Sequence, residues 1–146
     1  MEGITNVVCP HCQTPNRIPT AKLGQNPKCG RCHSPLLTRT PLTLTGASFD
    51  RHLTRTDLPL VVDFWSQFCG HSKRMLPAFK SAAGILHPGV RLALVDTSQE
   101  QSLAGRYRIE ATPTMILFQH GREKTRISGA LEERAIIDWI RGHLRS

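Results

Sequence analysis

The sequence predicts an α/β domain with a mixed central sheet, preceded by a small module held together by cysteines. Three observations carry that prediction. From residue 42 onward, short apolar runs alternate with amphipathic stretches in the order βαβαβαββα. His120-Gly121 reads as a turn between the last two strands, so that pair should be an antiparallel hairpin. Four of the five cysteines fall before residue 33, in two closely spaced pairs. A chain of 146 residues has room for one ordinary domain and an appendage. The boundary is expected between residues 38 and 39, giving units 1–38 and 39–146.

The appendage is read from its cysteines. Cys9-Pro10-His11-Cys12 and Cys29-Gly30-Arg31-Cys32 form a C-x2-C-x16-C-x2-C pattern. Two-residue spacing lets a tight turn aim both sulfurs at one point, and Gly30 suits such a turn. Four thiolates in two such pairs meet the requirement of a tetrahedral structural zinc site. The segment has few apolar residues (Ile4, Val7, Val8, Ile18, Leu23, Leu36 and Leu37), so one bound Zn²⁺ would supply its folding energy. This is the signature of a zinc ribbon. Permanent disulfides are the competing reading; a reducing cytoplasm opposes them, and neither pair follows a strand–helix pattern. His11 and His33 are expected to be exposed neighbours of the ligands.

The larger unit follows a linker, Thr38-Arg39-Thr40-Pro41. Leu42-Thr43-Leu44 is a short strand, and Ser48 is placed to cap a helix through Phe49, His52 and Leu53. Leu60 to Trp65 is a buried strand carrying one acid, Asp63. A loop then leads to Cys69 and a helix that Pro77 should bend and that ends near His87-Pro88-Gly89. Val90 to Asp96 is a second buried strand, and Gln99 to Tyr107 a short helix. Met115 to Phe118 pairs with Lys124 to Ser128 across the His120-Gly121 turn. In the closing segment, Leu131 to Leu144, residues Ile136, Trp139, Ile140 and Leu144 recur at helical steps.

Cys69 is the one cysteine outside the metal pattern. A lone cysteine is often an inert core residue. This one stands where a loop enters a helix, beside Gly70, His71, Lys73 and Arg74. Free backbone N–H groups and the helix dipole there favour thiolate, the nucleophilic form. Asp63, within an apolar strand, should have a raised pKa.

The stretch Phe68-Cys69-Gly70-His71-Ser72 resembles the active site of the thioredoxin family, usually Trp-Cys-Gly-Pro-Cys opening a helix. The resemblance covers residues 42–146. Asp63 matches the family's buried acid, Trp65 its first tryptophan and Pro77 the helix proline. Thr112-Pro113-Thr114 matches the cis-proline loop, and Gly129 a glycine lining the substrate groove. It implies the thioredoxin fold and thiol–disulfide exchange, with Cys69 attacking a substrate disulfide. It further implies that Asp63 relays protons and that Thr112, Pro113, Gly129, Trp65, Phe68 and Gly70 line or wall the substrate groove. Protein disulfide substrates follow as partners, with a thioredoxin reductase or glutathione returning electrons.

Three departures matter. Ser72 replaces the resolving cysteine and cannot form an S–S bond; a hydrogen bond to the Cys69 thiolate is what it can contribute. The replacement is either an engineered Cys→Ser change or a monothiol variant, and both imply mixed-disulfide formation. His71 replaces proline, as in protein disulfide isomerases, where the histidine favours thiolate. Leu94 occupies the strand position where the family often has a lysine near the acid.

The formal charge of +8 falls to +6 once four ligand thiolates and one Zn²⁺ are counted. Basic residues are scattered, and the ribbon has no aromatic side chain for base stacking, so nucleic acid is not the expected partner. No run of about 18 apolar residues exists to form a spanning helix. The N-terminal stretch lacks a basic start and an apolar segment of the signal-peptide kind, which gives the cytoplasm as the expected location. The rival function is a binding or chaperone module using the same scaffold without catalysis.

Overall fold

The computed structural model describes residues 3–144. Residues 1–2 and 145–146, at the outer ends of the two expected units, lie outside the described residues, as does the start of the leader reading at Met1 and Glu2.

Strands β1 (Ile4–Val8) and β2 (Pro15–Pro19) form an antiparallel hairpin, followed by a short 3-10 turn at Thr20–Lys22. The larger unit contains β3 (Leu42–Thr43), α1 (Phe49–Arg55), β4 (Leu60–Trp65), α2 (Gly70–Leu86), β5 (Arg91–Asp96) and α3 (Gln101–Arg106). It ends with β6 (Thr114–Gln119), β7 (Arg122–Ser128) and α4 (Glu133–Leu144). Its strands order as β3-β5-β4-β6-β7. The β3–β5 and β4–β5 pairs are parallel; β4–β6 and β6–β7 are antiparallel. The mixed sheet of the prediction is therefore present, with β4 between two neighbours.

Two cores form because side chains alternate across a strand. Val62 and Phe64 join Phe49, Leu53 and Leu103 on the α1/α3 face. Phe49, Phe64, Tyr107 and Phe118 meet there in tilted and edge-on pairs with centroids 5.3–5.9 Å apart. Val61 turns to the other face, where α2 and α4 bring Met75, Phe79, Ile136 and Ile140. Asp63, two residues after Val61, shares that second face.

Several boundaries differ from expectation. Ser48 precedes α1, but its Oγ accepts a bond from Thr45 N–H at 3.1 Å and caps no helical N–H. α3 starts later than read and α4 begins at Glu133. Pro77 lies inside α2, which runs from Gly70 to Leu86 around it. The His120–Gly121 turn has φ of +54° and +76°, the left-handed pair that a two-residue hairpin demands. The β1–β2 hairpin has no counterpart among the expected elements, because Pro15–Pro19 carries little strand pattern of its own.

The cysteine module packs on the larger unit. Asn6 N–H and Nδ2 donate to Asp57 Oδ2 at 2.7 and 3.0 Å, and Asp57 N–H returns a bond to Asn6 O. Val8 N–H donates to Thr56 Oγ1, and Leu58 packs against the small core of Val7, Leu23, Leu36 and Leu37. Among the described residues no helix is long and apolar enough to cross a membrane.

Candidate functional site

Cys69 is the N-cap of α2, in extended conformation with φ −109° and ψ 118°. Its carbonyl accepts the first helical bond from Lys73 N–H. A loop tightened by Ser66 delivers it there: Cys69 N–H donates to Ser66 O and Phe68 N–H to Ser66 Oγ. The position leaves the thiol beside the unpaired N–H groups of the first turn.

The second half of the site comes from the loop before β6. The Thr112–Pro113 bond is cis, and Thr112 O lies 3.4 Å from Cys69 Sγ. Pro113 O accepts Gly129 N–H at 2.9 Å, which ties the loop to the end of β7. Gly129 has φ +105°, a conformation that favours glycine. Thr114 Oγ1 donates to Ala111 O at 2.6 Å and meets Ser128 Oγ at 2.8 Å.

The Cys69 thiol is held down to about 7. The Thr112 side chain is the largest influence, followed by the Ser72 N–H, the Ser72 hydroxyl and the His71 N–H, with burial opposing. Thr112 acts in both directions, since its carbonyl accepts from the S–H form while its hydroxyl favours the thiolate. The Ser72 hydroxyl biases the thiol by its proximity but lies outside ordinary hydrogen-bond geometry; its buried Oγ has no partner.

Asp63 is fully buried, and neither carboxylate oxygen has a hydrogen-bond partner. Burial pushes its carboxyl up to about 7. Its register neighbours are Leu94 on β5 and Met115 on β6, so the facing strand positions are apolar. Asp63 makes no hydrogen bond to Ser72 or Cys69.

His71 is exposed, and its Nδ1 faces Arg74 Nη2. Arginine only donates, so Nδ1 accepts and the imidazole proton sits on Nε2. Arg74 also curls over Gly70, with Nη1 3.5 Å from where a Cβ would stand. Its contact with His71 was not read from the sequence, although its i+3 spacing on a helix was there to be seen. Trp65 is half-buried and borders an open groove with Leu76 and Pro77. Phe68 is 82% exposed and projects an apolar surface beside Cys69.

At the other end of the chain, the four predicted sulfurs converge. Cys9, Cys12, Cys29 and Cys32 Sγ all lie within 4.8 Å of one another. Cys9–Cys32 and Cys12–Cys29 separations are 3.5 and 3.6 Å. A tetrahedral zinc tetrathiolate has sulfur edges of about 3.8 Å, from a bond length of about 2.3 Å, whereas a disulfide needs about 2 Å. The cysteines are unbridged, and the spacing fits the metal. N–H groups of His11 and Cys12 point at Cys9 Sγ, and those of Arg31 and Asn16 Nδ2 at Cys29 Sγ, as thiolate ligands require.

The two turns close alike. Gln13 N–H donates to Cys9 O with φ +64°, and His33 N–H to Cys29 O with φ +66°. The left-handed residues are thus Gln13 and His33; Gly30, expected to serve the turn, has no positive φ. Its N–H is instead held by Asn16 Oδ1 at 2.9 Å, a role the sequence did not advertise. His11 and His33 are exposed, as read.

A cysteine capping a helix against a cis-proline loop, on this sheet order, defines a protein of the thioredoxin class. The chain belongs to the thioredoxin family: residues 40–142 match the family described as Thioredoxin, and residues 8–34 match Thioredoxin 2, N-terminal, a zinc ribbon. Thioredoxin C-3 of Corynebacterium nephridii is 35% identical over 134 residues, covering 92% of each chain. Thioredoxin Y2, chloroplastic, of Arabidopsis thaliana is 35% identical over 77% of this chain and 67% of its own. Among solved structures, a mutant thioredoxin from Halobacterium salinarum NRC-1 superposes with a TM-score of 0.66 at 25% identity, over 73% of this chain and 93% of that one. Membership supports a thiol–disulfide oxidoreductase function in general.

Proposed function

We propose that Cys69 carries out the attacking half of thiol–disulfide exchange on protein substrates and stops at the mixed disulfide. The observation that carries this reading is a thiol held down to about 7 at the N-cap of α2, against the Thr112–Pro113 loop. The Cys69 thiolate attacks one sulfur of a substrate disulfide. A Cys69–substrate S–S bond forms, the substrate S–S bond breaks, and the second substrate sulfur leaves as thiolate and takes a proton from solvent. In the family's usual form a second cysteine would attack Cys69 Sγ. Ser72 occupies that position with a buried hydroxyl, which cannot accept the disulfide. Release therefore requires an external thiol, glutathione or a second thiol of the substrate.

In this reading Thr112, Pro113, Gly70, Gly129, Trp65 and Phe68 line or border the substrate site, and His71 presents Nε2–H beside it. Asp63 enters as a buried acid, pushed up to about 7 by burial, whose proton-relay role has no cysteine to serve. Residues 1–38 form a zinc ribbon holding one Zn²⁺ through Cys9, Cys12, Cys29 and Cys32, and residues 39–146 the thioredoxin domain. The metal supplies folding energy to the ribbon and takes no part in the exchange. The cytoplasm is the proposed location.

Incubation with a disulfide substrate, read by intact mass alongside a Ser72→Cys variant, tests the proposal. A lasting adduct on Cys69 that clears only in the variant is the expected result. No adduct in either protein would overturn it. The second reading, a non-catalytic binding module, is favoured by Phe68, whose 82% exposure offers a ready apolar contact. Unreactive Cys69 with retained partner binding would select it.

A further inference from the structure

Arg91 opens β5 and is 5% exposed. Its Nη2 donates to Leu36 O at 2.9 Å, reaching from the thioredoxin domain into the ribbon. Its Nη1 approaches Thr56 Oγ1 at 3.4 Å, the same oxygen that accepts Val8 N–H at 3.0 Å. The next residue after Val8 is the ligand Cys9, itself fully buried.

A buried guanidinium is costly unless a negative group faces it. Among the described residues, the ion pairs use Arg106, Arg126 and Arg134, and no carboxylate pairs with Arg91. The other titratable group near it is the buried His52, which is basic and offers no negative charge. The contacts of Arg91 lead instead to the cysteine cluster: Leu36 O lies in the ribbon, and Thr56 Oγ1 holds the Val8 N–H one residue before Cys9. A divalent ion with four thiolates carries a net charge of −2. The ribbon would therefore present a negative cluster to the domain where the domain buries a cation.

We infer that Arg91 is the buried counter-charge of the ribbon's metal centre, so that the thioredoxin domain supplies part of the outer surroundings of that centre and the docking of the ribbon is tied to its metal. The inference rests on the zinc reading of the four cysteines. It makes Arg91 a positioning residue: it touches no ligand atom by hydrogen bond, yet it holds Leu36 O and Thr56 Oγ1 while its charge offsets the cluster. Groups in this outer position commonly alter metal affinity by roughly 10–100-fold.

The experiment uses the full chain loaded with zinc. Zinc content is measured first, then the rate of zinc transfer to a colorimetric chelator, for wild type, Arg91→Met, Arg91→Lys and Thr56→Val. Met keeps the aliphatic bulk without the charge, Lys keeps the charge without the fork, and Thr56→Val loosens the contact while leaving Arg91 intact. Loss of zinc should be roughly tenfold faster or more in Arg91→Met, and clearly slower than that in Arg91→Lys and Thr56→Val. Amide exchange at Val8 and Asp57, at the docking contact, should rise with metal loss in wild type. The Cys69 alkylation rate, far from this contact, serves as the folding control. Equal zinc release by wild type and Arg91→Met would overturn the inference, as would Thr56→Val or Arg91→Lys releasing zinc as fast as Arg91→Met. A protein without one zinc per chain would remove the metal reading itself, and the inference with it.

Discussion

The Cys69 thiol stands 3.4 Å from the Thr112 carbonyl, so the nucleophile and the cis-proline loop are in direct contact across the gap between α2 and β6. The largest influence on that thiol is likewise Thr112, through its side chain. Alkylation by iodoacetamide should therefore rise with pH through a midpoint near 7 in the wild type. Thr112→Val removes the hydroxyl and should move the midpoint upward, toward the ordinary thiol range. An unmoved midpoint would assign the low thiol pKa to the helix end alone.

Ser72→Ala separates two effects of one hydroxyl. Its buried Oγ lacks a partner, so deleting it removes a desolvated polar atom and should leave stability unchanged or raise it by up to about 1 kcal/mol. The same change should move the alkylation midpoint upward, because the hydroxyl favours the thiolate. Urea unfolding and the alkylation profile, taken on one preparation, check both.

Two buried groups make opposite contributions to stability across one pH window. Asp63 is about 7 in the folded chain against an ordinary 3.8, so the folded state holds an extra proton between those values and stability falls as pH rises through them. His52 is lowered to about 4 from 6.5 by burial and by Arg91, so the unfolded state holds the extra proton and stability rises with pH from 4 to 6.5. The contributions are about 4 kcal/mol downward and about 3 kcal/mol upward, and they largely cancel. Asp63→Asn should expose a stability that climbs between pH 4 and 6.5; His52→Gln should expose one that declines between pH 4 and 7. Urea midpoints at three pH values would settle it, and parallel curves in all three proteins would refute the assignment.

Gly129 tests the substrate side of the fold. A Cβ there would meet nothing within 4 Å, yet φ is +105°. Gly129→Ala should cost roughly 1–3 kcal/mol through backbone strain alone, read as a lowered urea midpoint. A neutral result would mean that the loop relaxes without effort.

Metal removal should act unevenly. On the proposed zinc reading, the small core of Val7, Leu23, Leu36 and Leu37 is too slight to stand without the ion, whereas the two faces of the β4 sheet have their own apolar layers. Chelation should abolish amide protection in β1 and β2 while β4 and β6 stay protected.

Much of this was legible in the sequence because it depends on period and spacing. Buried runs such as Leu60–Phe64 mark central strands, the steps of Ile136 and Ile140 mark a packed helix face, and two C-x2-C pairs mark converging sulfurs. What stayed hidden depends on partners distant in the chain. Arg91 reads as the polar end of a strand until Leu36, 55 residues earlier, supplies its acceptor. β2, Pro15–Pro19, has two prolines and one apolar side chain, too weak a pattern to suggest a strand; pairing with β1 defines it. Gln13 and His33 take left-handed conformations because each closes a turn onto the carbonyl of the first cysteine of its pair, a demand that residue type alone does not announce. Ser48 has the right residue type for a helix cap, but Thr45 N–H claims its oxygen.

Those two turns have a further consequence. Cys9 N–H bonds to Thr14 O just as Cys29 N–H bonds to Ser34 O, and Gln13 and His33 close each turn in the same way. The six-residue segments 9–14 and 29–34 thus repeat one backbone pattern, each presenting two of the four converging sulfurs. A change that eases the backbone of one half, such as Gln13→Gly, has a mirror counterpart in His33→Gly. The cysteine module is thus one turn design used twice, with both copies aimed at the same cluster of sulfurs.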